Sequence, residues 1–167
     1  PQKPNTAYLS TFNDGLGVYD LNQNQITVYD DNNTTVFTPI IPTDLRIYGV
    51  AFDRNGTGWM TNTAGKDPIL VTIDKNNQFN TYTSNILRSN NPGSDAYFNP
   101  IIDKNGTKWF ASRLSGVFAF NETKSNKAMK IDTGASTGSL PNISVRSIAL
   151  DYKNELWIGT AKGLRII

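Results

Sequence analysis

One short sequence phrase occurs three times in the chain at nearly constant spacing. It reads DRNGTGWM from Asp53, DKNGTKWF from Asp103 and DYKNELWI from Asp151. Each copy has an Asp, a Gly or Asn three residues later and a Trp six residues later, and the copies lie 50 and 48 residues apart. Internal repetition at a period near 50 residues constrains the architecture more than any local pattern does.

A weaker fourth copy lies upstream of the three full copies. The segment AYLS, residues 7–10, matches GWMT, residues 58–61, and this alignment places Tyr8 in the column of the Trp residues. Tyr8 precedes Trp59 by 51 residues. The repeat therefore extends over nearly the whole chain.

The phrase has the chemistry of a tight β-hairpin. An Asp at the start of a turn can accept hydrogen bonds from the backbone N–H groups that follow it. A three-residue hairpin loop needs a left-handed residue after its type I turn, and Gly56, Gly106 and Asn154 occupy that position. The sequence thus predicts the same bulged hairpin three times.

The segments between these hairpins read as further short strands, and no segment has the period of a helix. Four strands per repeat of about 50 residues predict an all-β protein, a β-propeller of four-stranded antiparallel blades. The predicted strands cover residues 7–12, 18–21, 25–29, 46–52, 58–62, 69–73, 78–82, 97–102, 107–112, 117–120, 128–131, 144–150, 155–159 and 163–167. Predicted turns at residues 13–17 and 63–67 connect strands within the first two repeats.

The chain holds about three and a half predicted blades. They are the remainder of a first blade at 7–30, a second at 46–83, a third at 97–131 and the start of a fourth at 144–167. Because a propeller has to close to protect its sheet edges, we expect a partial propeller or fragment that further blades or a second chain complete. Pro1 is not a natural start of translation, so we also expect that a leader was removed or precedes these residues.

The first strand of each blade is predicted to line the crowded central channel. When the copies are aligned on the repeat Asp, the small or medium residues Gly49, Asn99 and Ser147 share one column. Pro100 cannot donate a ladder hydrogen bond, which fits a strand whose unpaired edge faces the channel.

Composition argues against several classes of function. The chain has no His and no Cys, which removes Ser-His-Asp and Cys-His catalysis and most zinc chemistry. The net charge of +2 without a basic run argues against nucleic acid as a partner. The DKNGT segment lacks the later ligands of a calcium loop, and no repeat gains a pair of acids for glycoside hydrolysis. We therefore expect no enzyme, no metal and no cofactor, and we interpret the three Trp residues as packing residues rather than as a ligand platform.

The last repeat resembles a known family. The segment SVRSIALDYKNELWIGTAKGL, residues 144–164, resembles the regulator-propeller repeat of Bacteroidetes proteins, with Asn154 in place of the family's Gly. That repeat occurs in the periplasmic sensor halves of hybrid two-component systems and in PorZ-type propellers of the type IX secretion system. The segments at 59–71 and 99–120, and LPN at 140–142, are more similar to the PorZ type.

This resemblance implies two alternative functions. A PorZ-type protein would be a non-catalytic accessory in the periplasm or at the cell surface, with secretion-system proteins or lipopolysaccharide as partners. A sensor propeller would bind a ligand, such as a glycan, for a membrane-bound kinase. A third alternative, a propeller lyase or glycosidase, finds no support in these residues, although blades outside them could hold a catalytic site.

The ligand-binding residues stay unknown at this stage. By analogy with other propellers we expect a ligand at the face built from the long loops 30–45, 84–96 and 132–143, because these loops vary while the hairpins repeat. Arg88, Tyr97 and Arg113 lie in or next to this region, and we interpret them as ordinary surface residues unless a ligand contact is shown.

Overall fold

The computed structural model describes residues 3–39, 41, 44–63, 69–89, 91, 94–125 and 127–167. Within these ranges the chain forms fourteen strands in four antiparallel sheets and three one-turn 3-10 helices, and it contains no α-helix. The described ranges accordingly include no helix with the length and hydrophobicity needed to cross a membrane. The all-β prediction is confirmed, and each of the fourteen predicted strands is present, although several ends differ by one or two residues and the first strand of sheet 3 is four residues shorter than predicted.

Each sheet is a simple meander in which every strand pairs with the next one along the chain. Two sheets have three strands and two have four. Sheet 1 contains β1 (Thr6–Ser10), β2 (Leu16–Asp20) and β3 (Gln25–Tyr29), and sheet 2 contains β4 (Arg46–Phe52), β5 (Gly58–Thr63), β6 (Leu70–Ile73) and β7 (Phe79–Tyr82). Sheet 3 contains β8 (Ile101–Ile102), β9 (Lys108–Ser112), β10 (Gly116–Asn121) and β11 (Lys127–Ile131), and sheet 4 contains β12 (Val145–Leu150), β13 (Leu156–Thr160) and β14 (Gly163–Ile166).

The repeated phrase forms the predicted bulged hairpin in all three copies. Gly56, Gly106 and Asn154 have φ of +82°, +78° and +73°, the left-handed conformation that the loop requires. In the first copy the N–H of Gly56 donates to the carbonyl of Asp53 (3.1 Å). The Asn in the third copy therefore substitutes for Gly without a change of turn type.

The sequence pattern missed another Asp turn of the same kind, between β6 and β7. Asp74 accepts hydrogen bonds from the N–H groups of Asn76 and Gln78 (both 2.8 Å). Asn77 takes the left-handed position with φ of +61°. No Trp follows this Asp, so it fell outside a pattern that was defined partly by its Trp.

The hydrophobic core consists of three layers, each between two consecutive sheets. Alternate residues of a strand point to opposite faces, so each inner sheet contributes one row to the layer before it and another to the layer after it. The layer between sheets 1 and 2 includes Leu16, Ile47 and Met60. The layer between sheets 2 and 3 is mainly aromatic, and the layer between sheets 3 and 4 is mainly aliphatic. Four sheets stacked in this way form part of a β-propeller.

The first strand of sheet 3 is shorter than predicted. The ladder of β8 includes only Ile101 and Ile102, and Tyr97 forms an isolated bridge with Ser112. Pro100 separates the two paired segments because it has no N–H to donate. The turn that was predicted at residues 63–67 lies outside the described residues except for Thr63.

The two terminal sheets each have one face that no described residue covers. In sheet 1 this face presents Leu9, Ile26 and Val28, all well exposed. In sheet 4 it presents Trp157 and Ile166, which are directly paired across β13 and β14 and are both 40% exposed. Both faces have the apolar character of the covered faces between the sheets.

Candidate functional site

A one-residue bulge recurs at the same place in the first strand of sheets 2, 3 and 4. In sheet 2, Ile47 pairs with Asn62 and Ala51 pairs with Trp59. An advance of four residues along the first strand therefore lies opposite only three residues of the second strand. The same surplus of one residue separates the pairs Tyr97–Ser112 and Ile101–Trp109 in sheet 3, and the pairs Val145–Thr160 and Ala149–Trp157 in sheet 4. Bulges of this kind redirect side chains and concentrate near functional sites.

The bulged segments place three equivalent residue pairs at the inner edge of the sheets. Each pair begins five residues before the repeat Asp. The pairs, which we call the inner-edge row, are Tyr48 and Gly49 in sheet 2, Phe98 and Asn99 in sheet 3, and Arg146 and Ser147 in sheet 4. The residues that precede the pairs are buried, and these anchors are Ile47, Tyr97 and Val145.

The row combines aromatic, amide, hydroxyl and guanidinium groups. The rings of Tyr48 and Phe98 meet edge to face across the gap between sheets 2 and 3, with centroids 6.1 Å apart. Both rings are half-buried, whereas Asn99, Arg146 and Ser147 are exposed. These groups can bind a ligand through stacking, hydrogen bonds and charge.

Gly49 and Asn99 are in close contact. Gly49 has φ of +44°, a conformation that other residues rarely adopt. A Cβ atom on Gly49 would lie only 2.6 Å from both Oδ1 and Nδ2 of Asn99. The glycine is therefore required both by its backbone conformation and by the approach of the Asn99 amide.

Two arginines at the inner strands differ in their charge environment. Arg46 donates from Nε and Nη2 to both carboxylate oxygens of Asp44 (2.6 Å each) and its guanidinium lies 4.2 Å from the ring centroid of Phe12. Arg146 makes no ion pair and no side-chain hydrogen bond with another described residue. Within the described part of the chain, the charge of Arg146 is therefore not paired with a carboxylate.

A small cleft opens beside the row, between sheets 1 and 2. Its volume is about 180 Å3, and its walls include Thr11, Phe12 and Tyr48. The ring of Tyr48 thus borders both this cleft and the ring of Phe98. The cleft extends the aromatic surface toward Phe12.

The three residues that the sequence placed near the long loops differ in their burial. Arg88 and Arg113 are exposed, as expected for surface residues. Tyr97 is fully buried in the layer between sheets 2 and 3, and its hydroxyl donates to the carbonyl of Leu87 (3.4 Å). Tyr97 is therefore a core residue, and the interpretation of it as a surface residue is wrong because its bridge to Ser112 turns it inward.

The loop before sheet 3 is fixed by one buried carboxylate. Oδ2 of Asp95 accepts hydrogen bonds from the hydroxyl groups of Ser89 (2.6 Å), Ser112 and Ser115 (2.8 Å). Its Oδ1 accepts from the backbone N–H of Leu114 (2.9 Å). This cluster ties the loop to the turn between β9 and β10 and has the geometry of a structural support.

Trp59 and Trp109 pack in the layers between sheets, whereas Trp157 lies on the uncovered face of sheet 4, so burial of the repeat Trp falls along the chain. Trp59 is 1% exposed, Trp109 is half-buried and Trp157 is 40% exposed. The ring of Trp59 stacks on Tyr82 (centroids 5.0 Å apart), and Lys108 Nζ lies 4.0 Å from its centroid. Lys108 is itself buried and forms an ion pair with Glu122.

A large groove lies beside Trp109 and is a gap between sheets rather than a built site. It has a volume of about 630 Å3 and is lined by residues of sheet 3, among them Ala119 and Met129. The equivalent surface beside Trp59 is covered by Lys108 and Phe120 of the next sheet. The groove beside Trp109 is thus equivalent to a position that, between sheets 2 and 3, is filled by the neighbouring blade.

The described residues bring together no group of three His, Cys, Asp or Glu side chains that could hold a metal ion. The carboxylates of the repeat Asp residues are occupied by turn and Trp N–H donors. In the second copy Asp103 accepts from the backbone N–H groups of Asn105 and Thr107 (both 2.8 Å) and from Trp109 Nε1 (3.0 Å). These carboxylates are structural in the described part of the chain.

The inner-edge row was only partly visible in the sequence. The column of Gly49, Asn99 and Ser147 was identified as channel-lining, but the adjacent column of Tyr48, Phe98 and Arg146 was not. Counting back five residues from each repeat Asp would have found it. The bulge could not be found in this way, because it depends on which residues of the second strand lie opposite.

Comparison with protein families identifies the last repeat. Residues 139–162 match the family described as Two component regulator propeller. This match confirms the regulator-propeller repeat that was recognised on residues 144–164. No curated protein sequence matches the chain.

Comparison with solved structures shows the same fold over nearly the whole chain. PorZ of Porphyromonas gingivalis, a surface component of the type IX secretion system, matches with a TM-score of 0.77 and 22% identity over 98% of this chain and 23% of its own. The extracellular domain of BT3049 from Bacteroides thetaiotaomicron, described as a hybrid two-component system, matches with a TM-score of 0.67 and 21% identity over 99% of this chain and 19% of its own.

An enzyme also shares the fold. Virginiamycin B lyase from Staphylococcus aureus matches with a TM-score of 0.59 and 19% identity over 98% of this chain and 55% of its own. The chain therefore spans about a quarter or less of PorZ and BT3049 and about half of the lyase. At these identities the similarity shows a β-propeller fold, which confirms the predicted architecture.

Proposed function

We propose that this chain is part of a non-catalytic propeller that binds its ligands as a PorZ-like accessory of type IX secretion and of the attachment of cargo to the cell surface. The observation that carries the proposal is the likeness to PorZ over 98% of the chain. The segments at 59–71 and 99–120, which resemble PorZ-type phrases, support the same reading.

The chemistry of the inner-edge row supports binding rather than catalysis. Its groups are two aromatic rings, an amide, two hydroxyls and a guanidinium, which bind a ligand through stacking, hydrogen bonds and charge. A histidine-to-alanine variant of the virginiamycin B lyase is catalytically inactive, and these 167 residues contain no His. The residues of this chain therefore supply no counterpart to the lyase histidine.

The proposal also covers location and partners. We place the protein in the periplasm or at the cell surface, with secretion-system proteins or lipopolysaccharide as partners. We assign blades to residues 7–30, 46–83, 97–131 and 144–167. The apolar free faces of sheets 1 and 4 support closure of the ring by further blades or by a second chain.

Deletion of the encoding gene in its bacterium tests this function. We expect secreted cargo to be lost from the cell surface and recovered in the medium or the periplasm, as measured by fractionation and immunoblotting. Restoration by the wild-type gene is the control for effects on neighbouring genes. Normal attachment of cargo in the deletion strain would reject the secretion role.

A second function, a periplasmic sensor of glycans in a hybrid two-component system, is favoured by the regulator-propeller repeat and by the likeness to the BT3049 extracellular domain. It requires that the full gene encode a membrane span and a kinase downstream of this chain. It also requires that deletion abolish a transcriptional response to a glycan while cargo attachment continues. Reading the full gene and profiling transcripts of the same deletion strain separate the two functions.

A further inference from the structure

We propose that the inner-edge row binds a small organic anion in which a carboxylate is attached to a six-membered ring. This inference rests on the proposed function only in requiring a binding propeller, and it applies equally to an accessory and to a sensor. It assigns a ligand class to Tyr48, Phe98, Asn99 and Arg146.

The aromatic pair provides a surface for the ring of the ligand. Tyr48 and Phe98 are half-buried, so one side of each ring is fixed by packing while another part is accessible. Their edge-to-face contact, at 6.1 Å between centroids, joins two neighbouring sheets into one apolar surface. Flat or ring-shaped molecules bind such surfaces through dispersion and burial of apolar area.

Arg146 provides the charge that such a ligand would meet. It lies in the same column as the two rings, five residues before its repeat Asp, in the bulged segment of β12. A guanidinium group matches the planar geometry of a carboxylate and can donate two parallel hydrogen bonds to it. Arg46 cannot serve in this way, because Asp44 already occupies it in a bidentate ion pair.

Asn99 and Ser147 add an amide and a hydroxyl to the row beside the rings and the guanidinium. The amide of Asn99 lies against the backbone of Gly49, where even a methyl group would not fit. Ser147 follows Arg146 directly and is exposed.

Binding to the purified protein tests this inference. The probes are glucuronate and benzoate, which present the same carboxylate on a sugar ring and on an aromatic ring, and the neutral controls are glucose and benzyl alcohol. We expect at least one acid to bind, and to bind about tenfold or more tightly than its neutral counterpart, as measured by calorimetry and by chemical-shift changes. Which acid binds distinguishes a saccharide ligand from an aromatic one.

Variants of two arginines in sheet 4 locate the site. Arg146→Gln should weaken binding of the acid about tenfold or more, because it removes the charged donor pair. Arg165→Gln is the matched control, since Arg165 is also exposed and lies on β14 outside the row. Both variants should unfold at the temperature of the wild type, which excludes a loss of binding through misfolding.

Three results would overturn the inference: no binding of either acid, equal binding of acid and neutral analogue, or equal binding by the two arginine variants. None of them bears on cargo attachment in the deletion strain. A failed binding test and a failed secretion test are therefore distinguishable.

Discussion

The carboxylate of each full repeat Asp holds two different parts of its hairpin. In the first copy Oδ1 of Asp53 accepts from the N–H groups of Asn55 (2.9 Å) and Thr57 (3.0 Å), and Oδ2 accepts from Trp59 Nε1 (3.0 Å). One side chain thus closes the turn and orients the Trp that packs on the next sheet. This double role explains why Asp and Trp recur together with a spacing of six residues.

The contribution of the Trp hydrogen bond to stability can be measured by comparing the Asp103 turn of sheet 3 with the Asp74 turn of sheet 2. Asp103→Ala removes two turn bonds and the bond from Trp109, and we expect a loss of about 2–4 kcal/mol in the free energy of unfolding. Asp74→Ala removes the same two turn bonds without a Trp partner, and we expect about 1–2 kcal/mol. Chemical denaturation gives both values. Equal losses would show that the Trp bond contributes nothing.

Tyr82 should ionise at higher pH than an ordinary tyrosine. Burial raises its pKa above the usual value of 10.0, and the negative charges of Glu122 and Asp53 raise it further. Because the pKa is raised in the folded state, the unfolded chain loses this proton first, and stability should decrease as the pH rises above 10. Ultraviolet titration of the wild type against Tyr82→Phe isolates the transition, and a midpoint at or below 10 would contradict the assignment.

At the residue scale, the features that depend only on local chemistry were predictable from the sequence. The left-handed Gly and Asn positions and the hydrogen-bonding Asp followed from the requirements of one turn. The burial of Tyr97 did not, because it depends on a bridge to Ser112, fifteen residues later along the chain. Lys108 was equally unpredictable, since its partners are Glu122 in the one-turn helix after β10 and Trp59 in the preceding sheet.

At the scale of the element, the recurring bulge is the feature that sets the first strands of sheets 2, 3 and 4 apart from the other strands. All fourteen strands were predictable from alternation and turn residues, because those signals are local. The extra residue in each first strand was not, since a bulge is a property of two paired strands. Pro100 was the one local sign of it, because its missing N–H interrupts the ladder at that point.

The bulge in sheet 2 should not tolerate a side chain at position 49. Gly49→Ala combines a positive φ with a clash against the Asn99 amide, and we expect a loss of about 2–3 kcal/mol in stability. In an Asn99→Ala background the clash disappears and the backbone strain persists, so the same change should cost about 1 kcal/mol. Thermal or chemical denaturation of the four proteins completes the cycle. An equal cost in both backgrounds would show that the amide contact is not the cause.

At the scale of the whole molecule, stability comes from the layers between sheets. The repeat period predicted the number of sheets and their order, since each repeat is one sheet. The character of each layer was not predictable, because it depends on which residues face each other across a gap. Lys108 illustrates this point, since the equivalent position in sheet 4 is Leu156, which is buried without a charged partner.

The ion pair between buried Lys108 and half-buried Glu122 should be replaceable as a unit. Lys108→Leu alone leaves Glu122 without its cation, and we expect a loss of about 1–3 kcal/mol in stability. Lys108→Leu combined with Glu122→Gln removes both charges and should return to within about 1 kcal/mol of the wild type. Denaturant titration measures both variants. A single variant as stable as the wild type would show that the pair contributes no net free energy.

The graded burial of the three Trp residues gives the molecule its own set of optical reporters. One indole lies in each of sheets 2, 3 and 4, and their exposure rises from 1% for Trp59 to 40% for Trp157. Their fluorescence should therefore differ in emission wavelength and in quenching by acrylamide, with Trp157 the most accessible. Single Trp→Phe variants would separate the three signals. Tryptophan fluorescence would then report the order in which sheets 2, 3 and 4 unfold.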